Sequence, residues 1–387
     1  MKIALISHGS TSINRNFSGI PWSVLCELRR QGHIVEAFQS EPASWTRFLV
    51  DFKNRLSLKF TGQPHNAEAD VWVIRTRAQR MASQVRSFMP DAVLCVGFPE
   101  AVCGMPEHPP LYVWMDALFP SVRRFYPYFK AYFSERNAVH LQNMESAALG
   151  RCRKIWLSSA WAADEAKYDF PDFAGKIFAQ SFGANIDNPP SRDEIEKTIG
   201  ARNLTEPTFL FIANEWERKG GEKAVETIAR LRSNGCPAKL IVIGIQNKPA
   251  SFTEASWIEW VGPLDKNKSD DDLRLRNYFS NSVFLLLPTN ADCTPIVCLE
   301  AAAYGLPVLS TKVGGLSATV DTGKTGMLWP IDDFVWKASP WIMDLIRDKN
   351  RYAEMARAGR MRYESKGNWA VNVRAVAESI ASDIATH

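Results

Sequence analysis

At 387 residues, 46% of them hydrophobic and 23% charged, the chain is long enough for two cores and too apolar to be disordered or fibrous. Its formal charge of +4 lies wholly within residues 1–190 and is too small to point to nucleic acid. No run approaches the roughly 18 apolar residues of a membrane-spanning helix, MKIALISHGS reads as a strand and not a secretory leader, and seven cysteines without a CxxC pair suit buried, reduced thiols of a cytoplasmic protein.

In chain order, KIALIS (2–7) is predicted as a strand, IPWSVLCELRRQGH (20–33) as a helix ended at Gly32, and IVEAF (34–38) as the next strand. VWVIR (71–75), AVLCVG (92–97), LYVWMD (111–116) and KIWLSS (154–159) read as further buried strands. GANIDNPPSRDEIEKTIGARNLTEP (183–207) has adjacent prolines and mixed charges, which predicts an inter-domain linker with a short helix. The pattern then restarts: TFLFIAN (208–214), AKLIVIG (238–244), WIEWVG (257–262), SVFLLLP (282–288) and PVLST (307–311) are strands, and GGEKAVETIARLRSNG (220–235) is a helix. WAVNVRAVAESIASDIA (369–385) is a final helix with Val371, Val373, Val376 and Ile380 apolar. Strand–helix alternation with near-continuous apolar strands implies two doubly wound α/β domains in tandem, over 1–185 and 190–366. Ligands of such sheets bind beyond the carboxyl ends of the strands, so a cleft between facing strand ends is the expected site.

The strand at 282–288 runs into the loop TNADC and a helix predicted to begin with Thr294 as N-cap and Pro295 at its first position. The unpaired amides of Ile296 and Val297 would then suit an anion. Asp292 and Glu300, eight residues apart, would lie about 12 Å apart on one helical face, a spacing for gripping two ends of a long polar ligand. The competing reading is an N-cap acid beside an unrelated solvated one. Gly314 and Gly315 allow close backbone approach. Arg218 and Lys219, before Gly220–Gly221, suit charge building on a departing phosphate, or else form a solvated basic pair. DDDL (270–273) reads as a solvated helix start, and the six histidines lack metal-ligand spacing.

Residues 288–328 resemble the Glu-x7-Glu region of retaining glycosyltransferases of family 4, and FIANEWERKGGEKAVETIARL and QSFGANID are similar to two further segments of that family. The first half matches more loosely, through residues 5–38. The resemblance implies a GT-B fold: two Rossmann-like domains, with the C-terminal helix 369–387 packing back on the first. It also implies a nucleoside-diphosphate-sugar donor as substrate, no metal or other cofactor, and a sugar, glycolipid or other hydroxyl acceptor held by the first domain. Carried over by position, Glu300 would hold the donor ribose and Asp292 the transferred sugar, with Ile296 and Val297 on the sugar and diphosphate. Asn214, Arg218 and Lys219 would line the phosphates, and backbone near Val261 would meet the base. Three positions depart from the pattern: Asp292 replaces a Glu, Asn214 stands where an Arg is common, and CTPI stands where a Phe-Gly pair is common.

In the first domain, Gly19 of the Ser18–Gly19 pair would face the diphosphate, and Asp116 stands where relatives carry a strand-end His. Asp116 would orient the acceptor or donor hydroxyls, or take the acceptor proton; a capping or loop Asp is the alternative. His8 and His140 are rivals for that role and read more readily as structural. SVRRFYPYFKAYFSER (121–136) and TRFLVDFKNRLSLKF (46–60) interleave basic and aromatic residues. Each fits an anionic inner-membrane surface, an acceptor-binding wall or a buried aromatic helix. A nicotinamide-dependent dehydrogenase is disfavoured because SHGSTSINRNFSG lacks G-x-G-x-x-G spacing. A non-catalytic sugar-nucleotide-binding protein and an epimerase on the same fold are the remaining alternatives.

Overall fold

Short runs of consecutive apolar residues bury both faces of a strand, and here they assemble two parallel sheets. The computed structural model describes residues 1–7, 16–39, 44–61, 70–106, 108–126, 135–252 and 255–386. They divide into two compact units, Met1–Gln180 with Asn372–His387, and Ser181–Val371.

The first unit holds β1 (Lys2–Ser7), β2 (Ile34–Gln39), β3 (Ala92–Val96), β4 (Leu111–Met115), β5 (Cys152–Leu157) and β6 (Ile177–Ala179). Their order is β2-β1-β3-β4-β5-β6, all parallel. Helices α1 (Ile20–Arg30), α2 (Ser44–Thr61), α3 (Val71–Phe88), α4 (Phe119–Phe125), α5 (Glu135–Arg151) and α6 (Ala160–Asp169) surround them. Ile3, Leu5, Leu94, Val113 and Ile155 are fully buried in the sheet.

Residues 71–75 correct the strand expectation. Their apolar run continues at helical spacing through the buried Val73, Ile74, Ala78, Met81, Ala82 and Val85. The Asp70 carboxylate caps the start by accepting from the amides of Trp72 (2.9 Å) and Val73 (3.4 Å). A five-residue window cannot distinguish a helix start from a strand.

The second unit holds β7 (Thr208–Ile212), β8 (Lys239–Ile243), β9 (Ile258–Gly262), β10 (Phe284–Leu287), β11 (Val308–Thr311) and β12 (Gly326–Trp329). The order is β12-β11-β10-β7-β8-β9, again all parallel. Its helices are α7 (Arg192–Ala201), α8 (Trp216–Lys219), α9 (Gly221–Ser233), α10 (Ser269–Asn281), α11 (Ile296–Ala303), α12 (Leu316–Thr319), α13 (Phe334–Leu345) and α14 (Lys349–Lys366). The linker helix α7 starts in a full capping box between Ser191 and Glu194.

The last helix, α15 (Trp369–Ala385), belongs to the first unit from Asn372 onward. Val373, Val376 and Ile380 are buried there, whereas Val371 is 38% exposed. Asp383 accepts from the Tyr112 hydroxyl (2.6 Å) and pairs with Arg153 (3.3 Å), and Lys154 reaches Ser379 Oγ (2.9 Å). Burial by itself would raise the Asp383 carboxyl, but the Tyr112 hydrogen bond and the Lys154 and Arg153 charges hold it below the usual range.

Strand order reverses between β1 and β3 in the first sheet and between β7 and β10 in the second. Connections leave such neighbours in opposite directions, so a crevice opens at their carboxyl ends.

Candidate active site

The loops after β7 and β10 flank the reversal point of the second sheet, and backbone bonds stitch them together. Asn290 N and Thr289 Oγ1 donate to the Arg218 carbonyl at 2.7 and 3.1 Å, and Asn290 Nδ2 donates to the Glu217 carbonyl at 2.7 Å. Gly220 makes this approach feasible. Its φ is +77°, and a Cβ there would lie 1.9 Å from the Pro288 carbonyl oxygen.

The stitching sets Lys219, the last residue of α8, against Asp292. The Lys219 ammonium donates to Asp292 Oδ2, with 12% and 9% of the two side chains exposed. Asp292 does not share a helical face with Glu300, because α11 begins only at Ile296. Thr294 does not cap that helix either: its hydroxyl donates to the Cys293 carbonyl (2.7 Å) and Pro295 takes the cap position. The Asp292 loop is fixed from a third side, since Gly315 N donates to the Asp292 carbonyl at 3.1 Å. The left-handed Gly314, φ +49°, turns the chain there.

Helix α11 is held at its far end by cations. The buried Arg202 donates to the carbonyls of Tyr304 (2.8 Å) and Gly305 (2.5 Å), and Arg360 to that of Ala303 (2.6 Å). Guanidinium groups on terminal carbonyls complement the helix dipole. At its near end, the amides of Ile296 and Val297 make no hydrogen bond among the described residues. Glu300, one turn further along, is buried and accepts from Lys266 in the loop between β9 and α10. Cys298, fully buried on α11, has its thiol pushed up by burial and then by Asp292.

Thus two buried carboxylates each carry one lysine. Arg218 stands beside them with a different commitment. Its guanidinium forks Glu215 at 2.9 and 2.6 Å and donates to the Ala291 carbonyl at 3.0 Å. The Arg218 hydrogen bonds hold the Glu215 carboxyl below its usual range. Glu215 and Lys266 do not stand out in the sequence, because nothing in their spacing marks them; only the end-of-strand location of both loops could have drawn attention. Asn214 is exposed, and Val261 is half-buried just before Gly262, whose φ is +79°. Asp270 is exposed at the start of α10, and Asp272 pairs with Arg276. Among the described residues no group of three or more His, Cys, Asp or Glu could hold a metal ion.

In the first unit, Gly19 is buried at φ +78° and enters α1, the helix after β1. Asp116 follows β4, one strand beyond that sheet's reversal point. Its Oδ1 accepts from the Ala117 amide (2.9 Å), and its carbonyl accepts from the Ser158 hydroxyl (3.1 Å). His140 is exposed on α5. His8 and residues 127–134 lie outside the described residues. On α2, Phe48 and Phe60 are each 76% exposed, with Leu49, Phe52 and Leu56 also exposed, so this helix is not buried by its aromatic residues. No helix among the described residues is long and apolar enough to cross a membrane. Five of the seven cysteines are buried and all are free, while Cys26 and Cys103 are half-buried.

Residues 206–347 match the family model for glycosyl transferases group 1, a span that contains Arg218, Lys219, Lys266, Asp292 and Glu300. The chain is 27% identical over 187 residues to D-inositol 3-phosphate glycosyltransferase of Arthrobacter sp. (strain FB24), covering 46% of this chain and 42% of that one. It is 24% identical over 245 residues to the capsular polysaccharide biosynthesis glycosyltransferase CapM of Staphylococcus aureus, covering 62% of each. These matches span about half the length of the curated relatives. Among solved structures, sucrose-phosphate synthase from Thermosynechococcus elongatus superimposes with a TM-score of 0.71 over 100% of both chains at 16% identity. Anabaena HepE in complex with UDP gives 0.64 over 99% of this chain and 100% of that one at 13% identity. Residues 206–347 are thus similar to the glycosyl transferases group 1, and the chain has the GT-B fold.

Proposed function

We propose that the protein is a retaining, metal-independent glycosyltransferase that moves a sugar from a nucleoside-diphosphate-sugar donor to a hydroxyl acceptor, in polysaccharide, lipopolysaccharide or glycoconjugate assembly. The observation that carries this reading is the pair of lysine contacts to the buried carboxylates Asp292 and Glu300 around the start of α11, within the stretch that matches the family. Glu300 receives the donor ribose hydroxyls and Asp292 the hydroxyls of the transferred sugar. The amides of Ile296 and Val297 meet the sugar and diphosphate, with Asn214 at the edge of the phosphates and the backbone at Val261 on the base.

In the reaction, the bond between the sugar's anomeric carbon and the diphosphate oxygen breaks, and the acceptor oxygen bonds to that carbon on the same face. The acceptor proton passes to the departing diphosphate. Lys219 moves its charge from Asp292 towards the diphosphate as negative charge builds there, an interaction that strengthens only as the bond breaks. Arg218, held by Glu215, serves as a fixed cation beside it. Gly19 and Asp116 act from the first unit, the former by close backbone approach to the diphosphate and the latter on the acceptor. The exposed apolar side chains of α2, on a helix that also carries Arg55 and Lys59, suit peripheral contact with the cytoplasmic face of a membrane bearing a lipid-linked acceptor.

Binding without turnover is the second reading, favoured by the commitment of Arg218 to Glu215 and the Ala291 carbonyl. Release of nucleoside diphosphate from UDP-, GDP- and ADP-sugars, with and without sugar acceptors, separates the two. Release with transfer supports the enzyme; tight binding with no release at any acceptor supports the binder.

A further inference from the structure

Glu300 is held from outside its own helix by a connected set of contacts. The Lys266 ammonium donates to Glu300 Oε1 and also to the Asn185 carbonyl at 3.3 Å. Asn185 is fixed in turn, because its side-chain oxygen accepts from the Trp369 indole at 2.8 Å. Trp369 packs on Phe182, ring centroids 5.8 Å apart, and a Cβ at Gly183 would collide with the Trp369 backbone at 2.3 Å. Only one Glu300 oxygen is engaged: among the described residues no hydrogen bond reaches Oε2.

We propose that Lys266 is the positioning residue of the nucleotide site, holding one oxygen of the buried Glu300 carboxylate so that the other receives the ribose hydroxyls of a nucleoside diphosphate. A carboxylate held by a cation on one oxygen presents its second oxygen in a fixed direction as a strong acceptor. The cation must itself be kept still, and the Asn185 carbonyl supplies a second anchor for a side chain that is otherwise flexible. Without Lys266 the buried Glu300 loses the contact that orients it, and the acceptor oxygen is no longer held in place. The inference rests on the glycosyltransferase reading for the identity of the ligand, but the role of Lys266 follows from the contacts around Glu300.

The test is calorimetric binding of UDP, GDP and ADP, each compared with its 2′-deoxy form, to wild type, Lys266→Met, Lys266→Arg and Glu300→Gln. A charge-assisted hydrogen bond to the ribose predicts that wild type prefers the ribonucleotide by about tenfold. Lys266→Met and Glu300→Gln should both reduce that preference to within about threefold, and Lys266→Arg should restore most of it. Lys266→Gln replaces the methionine variant if the latter fails to fold by circular dichroism. A role confined to stability would weaken both nucleotides equally and leave their ratio unchanged, which would overturn the assignment, as would a wild type that binds both forms alike. A wild type that binds no nucleoside diphosphate at millimolar concentration would overturn the glycosyltransferase reading and this inference with it.

Discussion

The two reversal points of strand order keep their chemistry in different forms. In the second unit it is stored as charge: Lys219 with Asp292, Lys266 with Glu300 and Arg218 with Glu215, the carboxylates of the first two pairs buried. In the first unit the corresponding turn enters α1 through Ser18 and Gly19, at φ 55° and 78°, with no side-chain cap and no acid in the first helical turn. There the backbone is the feature, and the nearest candidate acid, Asp116, spends an oxygen on its neighbour's amide. A buried pair must be traded for a ligand of matching charge, whereas an open turn needs only close approach. The second unit is accordingly proposed as the donor site, through Lys219, Asp292 and Glu300.

This contrast can be broken by substitution. Lys219→Ala should have the largest effect, lowering transfer by roughly 100- to 1000-fold, as loss of an oxyanion-stabilising donor does, with nucleotide affinity falling about tenfold or less. Equal losses in both would mean that Lys219 serves ground-state binding only. The same change strands Asp292, a cost of about 3–5 kcal/mol that denaturant melts should show and that adding Asp292→Asn should partly relieve. Gly220→Ala comes next. Its left-handed backbone alone costs about 1–2 kcal/mol, and the Pro288 carbonyl leaves no room for the methyl, so nucleotide binding should fail with the stitching of the two loops. Gly19→Ala should cost about 1–2 kcal/mol through the same φ penalty and lower nucleotide affinity less than Gly220→Ala does.

Smaller effects sharpen the division. Asp116→Asn should depress transfer without altering nucleotide affinity; an affinity loss would place Asp116 in the donor site. The smallest effect concerns acid. Glu215 and Asp383 have folded pKa values below their ordinary ones, so their stabilising contributions are complete above the unfolded carboxylate values and are lost as pH falls through the folded ones. Melting temperature should therefore be level above about pH 5 and fall below about pH 4, and Glu215→Gln should soften that fall.

Much of the fold was legible because parallel strands buried on both faces write themselves as apolar runs, as at Phe284–Leu287 and Val93–Val96. Val71 to Arg75 failed that test because the same run continued at helical spacing. Asp292, Glu300, Arg218 and Lys219 were visible as charges in otherwise apolar or glycine-rich segments. Lys266 was not, since its meaning lies in a contact with a residue 34 positions away, and Glu215 is one of several charges in its short segment, any of which could pair with Arg218. The start of α11 was misplaced by the Thr-Pro pair: Thr294 turned its hydroxyl to the preceding carbonyl, so the cap passed to Pro295.

The central claim is that the second unit binds a nucleoside diphosphate through Glu300 and Lys219. The most direct measurement is the melting temperature of the purified protein against UDP, GDP, ADP, CMP and NAD, since a ligand of the native state raises it by mass action. The account predicts a rise with one nucleoside diphosphate that Glu300→Gln weakens. A rise with NAD alone, or none at millimolar ligand, would contradict it and return Asp292 and Glu300 to the role of ordinary structural acids.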